Sequence, residues 1–220
     1  MSQAVTHVHA HAADSEAAAE DHVAHAHETA MGVHNHKLAM WLFIASESMF
    51  FAALIGTYMV NRGRFEGGPS AADIFDIPLT TISTFVLLMS SLLMALAVHA
   101  SHKGDRRGQI MYLAGTVLAG LVFLRFQAYE FMHFAHAGLG LSRSVFGSSF
   151  FVLTGFHGAH VALGIVWLTT LLISAIRGNL QHRDPVLVEV AGLYWHFVDV
   201  VWIVIFTVLY LFTEASKLMG

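Results

Sequence analysis

Residues 146–176 read FGSSFFVLTGFHGAHVALGIVWLTTLLISAI, an uncharged run that ends only at Arg177. A spanning helix needs about 20 mostly apolar residues. This stretch is long enough to cross a bilayer, yet it carries His157 and His160 three residues apart. Working outward, four more runs of the same kind accompany it: Leu38–Val60, Leu79–Ala100, Ile110–Phe131 and Val190–Phe212, the opening run counting as Gly147–Ala175. Composition agrees, because 56% of the residues are hydrophobic and 12% charged, against roughly 25% charged in an ordinary soluble domain. The expected fold class is therefore all-α. It is a polytopic membrane protein, with a five-transmembrane-helix bundle at residues 38–220 and a disordered His/Ala-rich tail at residues 1–37. No fixed-period repeat and no room for a soluble domain remain.

The tail lacks the basic start and apolar stretch of a signal peptide, and it carries Asp14, Glu16, Glu20, Asp21 and Glu28. Half of the sixteen histidines fall in it. Among them His7, His9, His11, His22, His25 and His27 sit in low-complexity tracts, a composition that either binds metal ions or is simply solvated. With no cysteine, disulfides, thiolate zinc sites and iron–sulfur ligation by this chain are excluded.

Five spans put the tail, the loop after span two and the loop after span four on one side, with Lys37, Lys103, Arg106, Arg107, Arg177 and Arg183. The other side has Arg62, Arg64, Arg143 and Lys217. The excess of basic residues places the N-terminus inside and the C-terminus outside. Residues 62–78 form the longest connection and end at Pro78, a suitable first-turn residue for the helix that follows.

An ionisable side chain at the centre of a spanning helix costs at least about 2.5–3.5 kcal/mol, so such residues face the protein interior or a cavity and find partners. In span one Glu47 lies between Ser46 and Ser48. An acid there is expected to be neutral, hydrogen-bonded or paired, which suits either a structural bond to a neighbouring helix or proton handling. In span three Gln127, Glu130 and His133 follow at intervals of three and share a face. Arg125 is roughly 140° from Glu130 around the helix, so it is expected to meet another helix or to snorkel to a headgroup. Span four interleaves His157 and His160 with Gly155, Gly158, Ala159, Ala162 and Gly164, small residues that let helices approach closely. Span five places Glu189, His196 and Asp199 near one stripe, with Trp195 and Trp202 on a neighbouring one. The two acids of span five are the expected partners of His157 and His160.

Three functions compete for such a network. A di-haem cytochrome needs two well-separated histidines on each of two facing helices. Here the pair in span four is one turn apart and span five offers His196 alone, which argues against two haems and leaves one bis-histidine haem open. A His/Asp-based metal transporter would use the tail as a collector, although no span shows the Pro interruption expected around a midplane site. The third possibility is a structural, proton- or lipid-related subunit with no cofactor of its own.

Four motifs bear on the choice: WLFIASESMFF (41–51), QAYEF (127–131), FGSSFFVLTGFHGAHVALG (146–164) and YWHFVDVVWIVIF (194–206). Together, in order and spacing, they resemble subunit III of the haem-copper terminal oxidases over about Lys37 to Phe212. The resemblance implies a non-catalytic, non-redox subunit of a complex that reduces oxygen to water and pumps protons. It would pack on subunit I, with subunit II and a small subunit IV in the same complex, bind phospholipid and support proton uptake and stability. Haems and copper are expected in the partners, none in this chain, and no nucleic acid is expected among its partners. Glu47 matches the family's buried glutamate, which reacts with hydrophobic carbodiimides. Gln127, Glu130, His157, His160, Glu189, His196 and Asp199 read as a structural polar network, and Arg125, His133, Trp195 and Trp202 as candidates for lipid headgroups. Many members have seven spans, so this chain starts at the equivalent of the third. The expected site is a bacterial inner membrane. YWHFVDVVW favours cytochrome c as donor, with quinol as the alternative.

Overall fold

The computed structural model describes residues 34–61, 77–136, 145–178, 180 and 185–211. The histidines named in the tail lie outside these residues. Five helices carry the described chain: α1 (Asn35–Asn61), α2 (Ile77–His102), α3 (Arg106–His136), α4 (Val145–Ile176) and α5 (Val186–Phe206). A π-helical turn, Thr207–Leu211, prolongs α5. All five are long and apolar enough to cross a membrane. Each begins before the apolar run that announces it. Hydropathy registers the hydrocarbon slab, whereas the backbone ladder continues into the headgroups; 32 residues of α4 extend about 48 Å at 1.5 Å per residue, against a slab of about 30 Å.

Helix ends are set by local chemistry. Gly104 adopts φ 68° and closes α2 through bonds from Lys103 N–H to the His99 carbonyl and Asp105 N–H to the Ala100 carbonyl, a left-handed C-terminal cap that glycine adopts without steric penalty. Asp105 then caps α3, its Oδ1 accepting from Gly108 N–H at 3.1 Å. Gly178, φ 80°, follows the end of α4 and donates its N–H to the Ala175 carbonyl, and the Arg106 guanidinium donates to the carbonyls of Ala175 (3.2 Å) and Ile176 (2.7 Å). Pro78 lies in the first turn of α2 as expected, and Pro185 opens α5.

α2 and α3 form the most extensive pair, α3 packs on α4, and α5 contacts α1, α2 and α4. α5 is accordingly the central helix: Val188, Tyr194, Trp195, Val198, Trp202 and Ile205 are all buried. α1 sits at the periphery, with Phe51 and Tyr58 buried while Trp41, Leu42, Met49 and Val60 face outward.

Candidate functional site

The intramembrane polar groups form three layers. At the end where α1 and α5 start and α2 stops, Glu189 pairs with Lys37 and with His102 at 2.6 Å. Arg106 reaches the end of α4 from the start of α3 at this same level. The two contacts bring together the helix ends that alternation of five spans assigns to one side. Beneath them a groove of about 420 Å³ opens between Lys37, Trp41, Val98, Glu189, Gly192 and His196.

In the middle layer Glu47 Oε2 lies 3.3 Å from His160 Nε2. The other ring nitrogen, Nδ1, is 2.8 Å from the Phe156 carbonyl. A carbonyl only accepts, so Nδ1 carries the proton of a neutral ring and Nε2 faces Glu47 as an acceptor. The Glu47–His160 contact is therefore a hydrogen bond when a single proton lies between them, held as the carboxylic acid or as imidazolium. The Tyr194 hydroxyl donates to the His160 carbonyl at 2.8 Å, tying α5 to the same turn of α4. Ser46 and Ser48 bond back to Phe43 and Ile44 within α1 and leave Glu47 to His160.

His157 behaves differently from its neighbour. It is fully buried, stacks on Trp202 with centroids 4.9 Å apart, and meets Phe51 and Phe123 edge-on. Neither ring nitrogen has a hydrogen-bond partner among the described residues. The expected pairing of both histidines with the acids of span five is thus corrected. His160 turns to α1 because Glu47 stands across from it, His157 turns into an aromatic box, and Glu189 is taken by Lys37 and His102 at the helix ends.

On α5, His196 Nδ1 lies 3.3 Å from the Ser91 hydroxyl, which also hydrogen-bonds Asp199. Trp195 donates to Ser90 and Trp202 to Thr84, each at 3.0 Å. Both tryptophans are about 1% exposed. They are corrected from candidates for lipid headgroups to core residues, since an indole N–H in hydrocarbon is satisfied at least as well by a neighbouring helix as by a headgroup.

The third layer lies toward the opposite end. Thr80 donates to the buried carboxyl of Glu130 and hydrogen-bonds Tyr210. Gln127 donates to the Thr154 carbonyl at 2.8 Å. Arg125 faces outward, apart from Glu130, as its helix angle requires; His133 also faces outward, so it leaves the face on which its spacing placed it with Gln127 and Glu130.

The partners on α2 were not singled out as hydrogen-bond partners by sequence reasoning, yet a signal existed. From Thr84 to Ser90 the position on α2 rises by six while the partner on α5 falls by seven, from Trp202 to Trp195, the register of two antiparallel helices. Thr80 with Tyr210 and Ser91 with His196 continue the same ladder. Among the described residues no group of three or more His, Asp or Glu is placed to hold a metal ion.

Five spanning helices cross-linked by buried polar side chains define an integral membrane subunit of the helix-bundle class. The sequence model of the family described as "Cytochrome c oxidase subunit III" matches residues 5–214. The chain is 40% identical over 177 residues to "Cytochrome c oxidase subunit 3" of Bacillus sp. (strain PS3), covering 80% of this chain and 86% of that one. It is also 40% identical over 174 residues to "Quinol oxidase subunit 3" of Bacillus subtilis (strain 168), at 79% and 85% coverage. To "Cytochrome bo(3) ubiquinol oxidase subunit 3" of Pseudomonas aeruginosa it is 38% identical over 211 residues, 96% of this chain and 98% of the other. The chain belongs to the cytochrome c oxidase subunit III family, whose members are subunits of haem-copper terminal oxidases. Those motifs were legible from Lys37 onward; the family match reaches back into the tail.

Proposed function

We propose that this chain is the non-catalytic third subunit of a proton-pumping cytochrome c oxidase in a bacterial inner membrane. It packs on the catalytic subunit I, with subunit II and a small subunit IV in the same complex. Haems and copper reside in the partners, and this chain contributes bound phospholipid, a half-buried acid, Glu47, that supports proton uptake, and stability. The N-terminal ends of α1 and α5 lie on the cytoplasmic side, supported by the excess of Lys and Arg there. The observation that carries the reading is where the buried polar groups go. Trp195, Trp202, Tyr194, Gln127 and Glu130 each bond another helix of this chain, an arrangement that holds a scaffold together.

Quinol as donor is the second reading, favoured by the ubiquinol oxidase relative that aligns over 211 residues. One experiment addresses both. A reduced-minus-oxidised optical spectrum is taken of the tagged chain purified alone and from its native membrane. A colourless lone chain beside a native preparation that carries oxidase haems and consumes oxygen with reduced cytochrome c is the expected result. Oxygen consumption with quinol alone moves the chain to the second reading, and a stoichiometric b-type band in the lone chain ends both.

A further inference from the structure

Asp199, in the middle of α5, is buried at 5% exposure. Its carboxyl meets the Ser91 hydroxyl of α2, while its Oδ1 has no hydrogen-bond partner among the described residues. An ionised carboxyl buried in that state is costly, and a bound proton removes the charge. His196 stands one turn earlier on the same face, with Nδ1 3.3 Å from the same Ser91 hydroxyl. Its ring lines the groove of about 420 Å³ that Lys37 and Glu189 also line. Glu189 precedes His196 by seven residues, about 10 Å along the helix, and pairs with Lys37 and His102, whose side chains are 32% and 48% exposed. A water molecule takes up about 30 Å³ of liquid, so the groove has room for several between the exposed helix ends and the His196 ring.

We propose that Asp199 is a proton-binding site, separate from Glu47, loaded through His196 and Ser91 from the groove at the end of the bundle where α1 and α5 begin. His196 takes a proton from water in the groove at Nε2. The imidazolium then passes its Nδ1 proton to Ser91 Oγ while the Ser91 O–H passes its own to the Asp199 carboxylate, leaving a neutral ring, a restored hydroxyl and a neutral acid. Serine suits the middle place because a hydroxyl donates and accepts at once. Lys37 and Glu47 of α1, His99 and His102 of α2 and His157 and His160 of α4 are the other charged or titratable groups on the helices around α5, yet among the described residues the one that acts on Asp199 is His196. Glu47 is engaged by His160 on the α4 side. A bond that merely held α2 to α5 would need no ionisable group: Ser90 and Thr84 are held there by the indole N–H groups of Trp195 and Trp202, which carry no charge.

This site rests on the proton-uptake part of the proposed function, and the test separates the two. The oxidase complex is purified through a tag on this chain, and the infrared spectrum of wild type is compared with that of Asp199→Asn, an amide of nearly the same shape that takes up no proton. Wild type is expected to show a carboxylic-acid C=O band that the variant lacks, and the band should shift in heavy water as O–H becomes O–D. In His196→Phe the band should persist while its shift in heavy water slows by about a hundredfold, the low end of what a positioned proton carrier contributes. Identical carboxylic-acid bands in wild type and Asp199→Asn, in complexes that consume oxygen, overturn the site while the wider reading stands. A band that shifts as fast in His196→Phe as in wild type overturns the loading path and the proposal with it, and a tagged chain that brings down no oxygen-consuming complex overturns both readings. Should either variant fail to assemble, Ser91→Ala carries the test. Its C=O band should move to higher frequency, because the carboxyl loses a hydrogen bond, and should exchange in heavy water more slowly than wild type; a spectrum and exchange rate equal to those of wild type overturn the proposal.

Discussion

Two histidines one turn apart on α4 have opposite fates, and each fate can be tested by a substitution. With the shared proton on Glu47, His160 Nε2 accepts, so an amide in place of the acid keeps a donor where one is needed. Glu47→Gln should assemble with thermal stability within about 0.5 kcal/mol of wild type, the usual range where no interaction is lost, yet lose the carbodiimide labelling that the family motif leads one to expect. Persistent labelling of the purified complex at the same stoichiometry would show that another acid reacts. His157 has packing and no hydrogen bond, and replacing a polar group that has no partner by an apolar one of similar shape is close to neutral. His157→Leu should therefore shift stability by less than about 1.5 kcal/mol, whereas His157→Ala opens a cavity against Trp202, Phe51 and Phe123 and should cost about 2–5 kcal/mol. Thermal inactivation of the two variants decides: a Leu variant as damaged as the Ala variant would mean that the ring nitrogens do hold a partner.

At the scale of helices, α5 is held by a ladder of α2 hydroxyls on one side and by glycine gaps on the other. Gly120 of α3 and Gly164 of α4 both face the Trp195 ring; a Cβ on Gly164 would lie 2.9–3.0 Å from Trp195 and Tyr194. Sequence reading assigned the glycines of α4 to close approach of backbones, but Gly158 and Gly164 instead admit the large side chains Gln127, Trp195 and Tyr194. Apolar area contributes little between helices in lipid, so fit of this kind and interhelical hydrogen bonds carry the association. Gly164→Ala should then cost about 1–3 kcal/mol, as overpacking does. The check is the midpoint of thermal unfolding of the detergent-solubilised complex; an unchanged midpoint would show that Trp195 and Tyr194 move aside freely.

Across the whole molecule, the number, order and class of the helices were legible because hydropathy reports directly on the bilayer, and the Glu189, His196 and Asp199 stripe emerged from helical period alone. Partner choice was not legible, since it depends on which helices are neighbours: the acids of α5 are matched by Lys37, His102 and Ser91, residues from the far ends of two other helices or from a hydroxyl that hydropathy ignores. The same geometry grades stability. Within its most apolar window α1 is 6% buried and α5 56%, and α1 is held to α4 and α5 by the Glu47–His160 contact, the Lys37–Glu189 pair and the rings around Phe51. The ion pair at the helix ends is partly exposed and worth about 0–1 kcal/mol. Local opening follows the least buried contacts, so in the isolated chain in detergent α1 should open first. Hydrogen–deuterium exchange read by mass spectrometry should show the α1 amides exchanging ahead of those of α4 and α5, with Glu189→Gln advancing α1 further and leaving α3 unchanged. If α5 exchanged as early as α1, the central place given to α5 by its buried tryptophans would be wrong, and the ladder from Thr80 to Ser91 could not be what holds the bundle.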